Sequence, residues 1–138
     1  MRNRNAAAGV LVLGLLLAAP AAFAGGKGGG SSLSLVQLGG GGAVGAASTD
    51  PWFGEQVTFD VHTSVTAPTV VAECYQDKTL VYAESHGFWD GSAFGTIFTL
   101  GPTDRWTGGA ADCSARLVDY SRGKNGQTLA TTTFHVTG

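Results

Sequence analysis

The chain is short of charge. Asp, Glu, Lys and Arg make up 13% of its 138 residues, and the basic ones form no cluster. Neither nucleic acid nor an anionic membrane surface is therefore an expected partner. Cysteine is scarcer still: Cys74 and Cys113 are the only two, and the three histidines (His62, His86, His135) are scattered. Two thiols 39 positions apart without paired histidines do not supply four ligands, so no metal is expected. No Gly-x-Ser-x-Gly nucleophile turn occurs, and neither Asp77 nor Asp90 stands in a Ca²⁺-loop spacing. The carboxylates show no closely spaced pair of the glycosidase kind. The glycines at 39–42 are followed by no Lys-Ser/Thr, which removes a phosphate loop. With these motifs absent, the expectation is a non-enzymatic chain with no catalytic residue and no cofactor.

What the chain does have begins with a leader. Arg2 and Arg4, an apolar run from Ala6 to Ala19, and Ala22-Phe23-Ala24 have the layout of a secretory signal peptide over residues 1–24. The run is shorter than the usual membrane span, although an uncleaved signal anchor is the alternative. Cleavage after Ala24 leaves six basic against ten acidic residues, a formal net charge of −4. The expected location is secreted, with no stable membrane insertion once the leader is gone. In an exported chain two cysteines are most simply one disulfide, Cys74 to Cys113. It closes a loop of about 40 residues, worth roughly 4 kcal/mol in the chain-entropy model.

Residues 25–48 read as a Gly-rich tether that contains a candidate edge strand, Leu33 to Leu38. From residue 49 onward the period is two. Val57, Phe59 and Val61 fall on one strand face, and Thr58, Asp60 and His62 on the other. Strands are also expected at Val70 to Gln76, Leu80 to Ala83, Thr96 to Leu100, Ala111 to Tyr120 and Gln127 to Val136. Turn signals separate them, among them Asp-Pro at 50–51 and Asn-Gly at 125–126. About seven short strands, no helical period in the mature chain and one disulfide imply an all-β antiparallel sandwich.

Four stretches carry a resemblance: Gly-x-x-Val-Thr-Phe (Gly54 to Phe59), Cys-Tyr-Gln-Asp (Cys74 to Asp77), Ala-Asp-Cys-Ser-Ala (Ala111 to Ala115) and Thr-Phe-His-Val (Thr133 to Val136). On these, residues 54–137 resemble a secreted bacterial immunoglobulin-like domain. The resemblance implies an immunoglobulin-like sandwich over residues 49–138. It implies roles such as adhesion module, carbohydrate-binding appendage, spacer or pilus-like subunit, without choosing among them. Two departures from the antibody-type pattern stand out. Ala111 occupies the position two before the second cysteine, where those domains place a tyrosine, and the strand opening at Gly54 has no cysteine. If Leu33 to Leu38 is the first strand, Cys74 lies on the third, and the bridge joins neighbouring strands of one sheet. If that segment stays outside the domain, the numbering shifts by one.

The aromatics supply the candidate binding residues. Trp52, Phe88, Trp89 and Phe94 fall in connections, and Trp106 precedes the second cysteine strand as a core cap. Phe88, Trp89 and Phe94 belong to an 11-residue loop, Ser85 to Gly95, that also carries three glycines. It is either a lid on the core or an exposed platform. The leading expectation is a recognition or adhesion module that binds a cell-surface protein or glycan through this loop. Two alternatives accompany it. One is a structural subunit that self-associates through Leu33 to Leu38. The other is a carbohydrate-binding module stacking sugars on Trp52, Trp89 and Tyr82. Asp60 and His62 share a strand face, an arrangement that is ordinarily only a surface pair.

Overall fold

The computed structural model describes residues 30–39 and 50–138. The expected signal peptide and most of the Gly-rich tether lie outside the described residues. Seven strands form among the described residues: β1 (Ser32–Gln37), β2 (Gln56–His62), β3 (Thr69–Gln76), β4 (Thr79–Gly87), β5 (Phe98–Thr99), β6 (Ala111–Asp119) and β7 (Gln127–Val136). No helix occurs among the described residues. One sheet has the order β1-β2-β5, the other β4-β3-β6-β7, and every pairing within them is antiparallel. This is the all-β antiparallel sandwich that the strand pattern implies, with the chain crossing between sheets after β2, β4 and β5.

The alternation in β2 produces the burial it should. Val57 and Phe59 are buried and Val61 packs at the margin of the core, while Asp60 and His62 face solvent. Leu33 to Leu38 does form the first strand. β1 pairs along its whole length with β2, from Ser32 opposite His62 to Gln37 opposite Val57, and turns Leu33 and Leu35 inward. On the facing sheet, Val70, Ala72 and Cys74 of β3 and Cys113, Ala115 and Leu117 of β6 line the interior. Ala72 stands directly opposite Ala115. These small side chains leave room for rings such as Phe59, which meets Phe98 edge-on at 5.3 Å between centroids. Each large apolar side chain removed from water here contributes on the order of 1.5–3 kcal/mol.

Cys74 and Cys113 are bonded, and they are cross-strand partners on β3 and β6 with Cα atoms 4.1 Å apart. The bridge therefore ties neighbouring strands of one sheet. Trp106 is fully buried, as a core cap should be. Its Nε1 donates to the Gly109 carbonyl at 3.0 Å, and Phe53 and Tyr82 meet it edge-on.

Two strands differ from the sequence expectation. β4 does not end at Ala83 but runs to Gly87, because Thr69 to Ala72 of β3 offer pairing partners for Glu84 to Gly87. β5 shrinks to Phe98–Thr99, opposite Gln56 and Val57. A third link fixes the start of the domain: Trp52 and Thr137 form a parallel bridge, with Phe53 N–H donating to the Thr137 carbonyl at 2.8 Å.

Candidate functional site

Register decides which connections meet. At the start of β3, Thr69 pairs with Gly87 near the end of β4 and with Val118 near the end of β6. The β2–β3, β4–β5 and β6–β7 connections accordingly leave from one end of the sandwich. The N–H of Phe88 donates to the Pro68 carbonyl at 2.9 Å and ties two of them together. A scaffold of paired strands that gathers three loops at one end is a common way to build a binding surface.

The β4–β5 connection divides its aromatics. Phe88 is half-buried and stacks on Phe98, with planes 22° apart, so it anchors the loop to the core. Trp89 follows it outward and begins a turn closed by Ser92 N–H donating to the Trp89 carbonyl at 3.2 Å, with Gly91 at φ 84°. A glycine there avoids the steric penalty a side chain meets at positive φ. Trp89 is 40% exposed, and its ring lies across Gly87, where a Cβ would collide with it. Tyr120, at the start of the β6–β7 connection and 43% exposed, lines the same open groove of about 540 Å³. Val65, Thr66, Ala67 and Thr69 complete the floor.

One carboxylate borders the groove. The Ser121 hydroxyl, and after it the Ser121 N–H at 2.8 Å, hold the Asp119 carboxyl below the usual range. These bonds stiffen the turn that carries Tyr120, since a carboxylate accepting a backbone N–H two residues on defines a local turn.

The four aromatics singled out from the sequence are not one patch. Phe94 is exposed on the same loop and meets His86 edge-on at 6.5 Å. Trp52 belongs to the opposite end of the sandwich. There it lines a separate hollow of about 350 Å³ with Leu38 and Glu55, and its N–H donates to Glu55 Oε2 at 2.9 Å. Thr69 and Gln76, the two ends of β3, are about 23 Å apart at strand rise, and Trp89 and Trp52 belong to those two ends. Tyr82 is buried, so Trp52, Trp89 and Tyr82 offer no common face to a sugar. Tyr120, which does share the groove with Trp89, reads in sequence only as the last residue of a cysteine strand.

The histidines form pairs rather than a catalytic array. Asp60 and His62 lie 3.4 Å apart and mostly exposed, and His135 Nδ1 lies 2.8 Å from Asp112 Oδ1 on the outer face. On the inner side of β4, Tyr82 donates a hydrogen bond to Glu84 Oε2. Glu84 Oε1 comes within 2.9 Å of His86 Nε2, out of line for a hydrogen bond, so that contact is electrostatic. Burial first, then the Glu84 carboxylate, push the Tyr82 phenol well above its ordinary pKa. Among the described residues, no three His, Cys, Asp or Glu side chains are grouped to hold a metal ion.

No family model, curated protein or solved structure matches the chain.

Proposed function

We propose that this is an exported, non-enzymatic recognition or adhesion module, akin to secreted bacterial immunoglobulin-like domains, that engages a cell-surface partner through the three-loop end of the sandwich. The observation that carries the reading is the groove between Trp89 and Tyr120. Two large rings remain two-fifths exposed there on connections that the strands hold in place. A ring of that size left in water is an opportunity for burial by a partner, and Trp and Tyr are favoured anchors at such contacts.

Export is supported by the leader pattern at residues 1–24 and by the disulfide, which persists in oxidising compartments. Among the described residues no helix is long and apolar enough to cross a membrane.

The test is a pull-down of the chain from residue 25 onward on cell envelopes, beside Trp89→Ala. Because Trp89 lies on the surface of the end loop while Phe88 holds the core contact, Trp89→Ala is expected to weaken retention at least about tenfold, the equivalent of 1.4 kcal/mol. Its thermal midpoint should stay within about 3 °C of the parent, as for a surface change below 0.5 kcal/mol. Equal loss of binding and stability would instead make Trp89 a core residue and sink the proposal.

A further inference from the structure

The two rings that line the groove each lie close to a glycine. A Cβ on Gly87 would run into the six-membered ring of Trp89, and one on Gly126 would lie 2.8 Å from Tyr120 Cε1. Each ring thus passes close to bare backbone and keeps about two-fifths of its residue's surface in water. Rings fixed in this way lose little rotamer freedom when a ligand arrives. Between them the groove adds the hydroxyl-bearing Ser64, Thr66 and Thr69. Asp119 is the only charged residue among those described in its lining; its carboxylate stays ionised, with Ser121 bonded to it and the Arg122 charge nearby.

Flat aromatic surface, hydroxyls and a single carboxylate select a particular chemistry. The ligand must carry C–H faces that can lie against a π-system, whose face is negative and attracts positively polarised hydrogens. It must also carry uncharged hydroxyls for the side chains of the floor. We infer that the groove binds an uncharged saccharide, with the C–H face of one pyranose ring on Trp89 and the neighbouring sugar against Tyr120. The volume of about 540 Å³ lies within the range of small-ligand sites and suits a short stretch of such a chain. A uronate or phosphorylated glycan would meet the Asp119 carboxylate in the lining, whereas the nearby Arg122 lies outside it. An extended proline-rich peptide also lies on aromatic grooves; it has carbonyl acceptors but few donors for the Asp119 carboxylate, whereas saccharide hydroxyls both donate and accept.

This inference rests on the recognition reading, and the experiment separates the two. The chain from residue 25 onward contains every strand of the described residues. It is applied to cellulose, chitin, xylan and mannan, with polygalacturonate as the charged control and a polyproline peptide as the other occupant. Trp89→Ala, Trp89→Tyr, Gly87→Ala and Trp52→Ala are run beside it. Retention on at least one neutral polysaccharide is expected. Trp89→Ala should reduce it at least about tenfold, the loss of one well-packed aromatic contact. Gly87→Ala should do the same while keeping the indole, because the added methyl displaces the ring. Trp89→Tyr should restore most of the retention, and Trp52→Ala, at the far end, should leave it unchanged.

Retention on no neutral polysaccharide, retention that Trp89→Ala does not touch, or retention on polygalacturonate or polyproline alone each overturns the saccharide. Binding to cell envelopes that needs Trp89 yet is not competed by free neutral oligosaccharides overturns the saccharide and leaves the recognition module standing. Envelope binding that is absent, or indifferent to Trp89, overturns both.

Discussion

Tyr82 shows how one residue's setting departs from its type. Tyrosine is ordinarily content at a wet surface, yet here the phenol is turned inward from an edge strand and donates to Glu84. Burial and the adjoining carboxylate both disfavour the phenolate, so the folded pKa stands above the unfolded value of 10.0. A group whose folded pKa is raised contributes stability that is complete below the unfolded value and is lost as pH rises past it. The thermal midpoint should therefore hold up to about pH 10 and fall increasingly above it, as linkage requires. In Tyr82→Phe the alkaline fall should be shallower. Calorimetry across that range checks this, and parallel curves for the two proteins would show that Tyr82 is not the group responsible.

The β3–β4 hairpin is where sequence and backbone are least well matched. Its two-residue turn places Asp77 at φ 45° and Lys78 at φ 69°, in the left-handed region. Two-residue hairpins need that conformation because its twist follows that of the strands, and glycine is the residue that adopts it without strain. Lys78 lacks that freedom. Lys78→Gly is expected to stabilise the protein by about 0.5–1 kcal/mol, the relief of one left-handed side chain less the added freedom of the unfolded chain. Chemical denaturation would read it as a higher midpoint at constant slope, and a lower midpoint would mean that Lys78 makes a contact worth more than its strain. The next strand bears a different mark of its position. β4 lies at the edge of its sheet, and Glu84 and His86 stand on its inner side. Inward-pointing polar groups of this kind discourage a second chain from adding to an open edge.

Across the whole molecule, one covalent bond restrains the unfolded chain. The disulfide joins residues 39 apart, and the enclosed chain contains β4 and β5, so it limits the unfolded ensemble on both sheets. Reduction should cost about 4 kcal/mol in the chain-entropy account, and so lower the thermal midpoint by roughly 15–30 °C for a domain of this size. Unfolding with and without reductant measures it. An unchanged midpoint would mean that packing between β3 and β6 already supplies the restraint. The same strand order that sets β3 beside β6 brings the β2–β3, β4–β5 and β6–β7 connections to one end, and the proposed binding surface depends on that.

Much of the fold was legible because period-two alternation is a local property. Val57, Phe59 and Val61 point to one face whatever lies beyond them, and Cys74 with Cys113 identified two interior strands before their pairing was known. Trp106 was readable as core for a similar reason, as a large ring close in sequence to a buried strand. The reading faltered where a local signal was ambiguous. Glu84-Ser85-His86-Gly87 looks like loop, and only pairing with β3 makes it strand. The site was harder still. Alternation tells which face a residue occupies but not which end of the sandwich its connection leaves from. Trp52 and Trp89 therefore looked equivalent and are not, and Tyr120 gave no signal at all.

The sequence by itself determined the class of fold, the number of strands to within their boundaries and the two residues that are bridged. Those follow from side-chain periodicity and from the presence of two cysteines. Only the tertiary structure decided that the bridge lies within one sheet, that Tyr82 is buried, and that Trp89 shares its groove with Tyr120 rather than Trp52. Each of these depends on which strands become neighbours, and strand neighbours are selected by burial over the whole chain, not by any segment's own pattern.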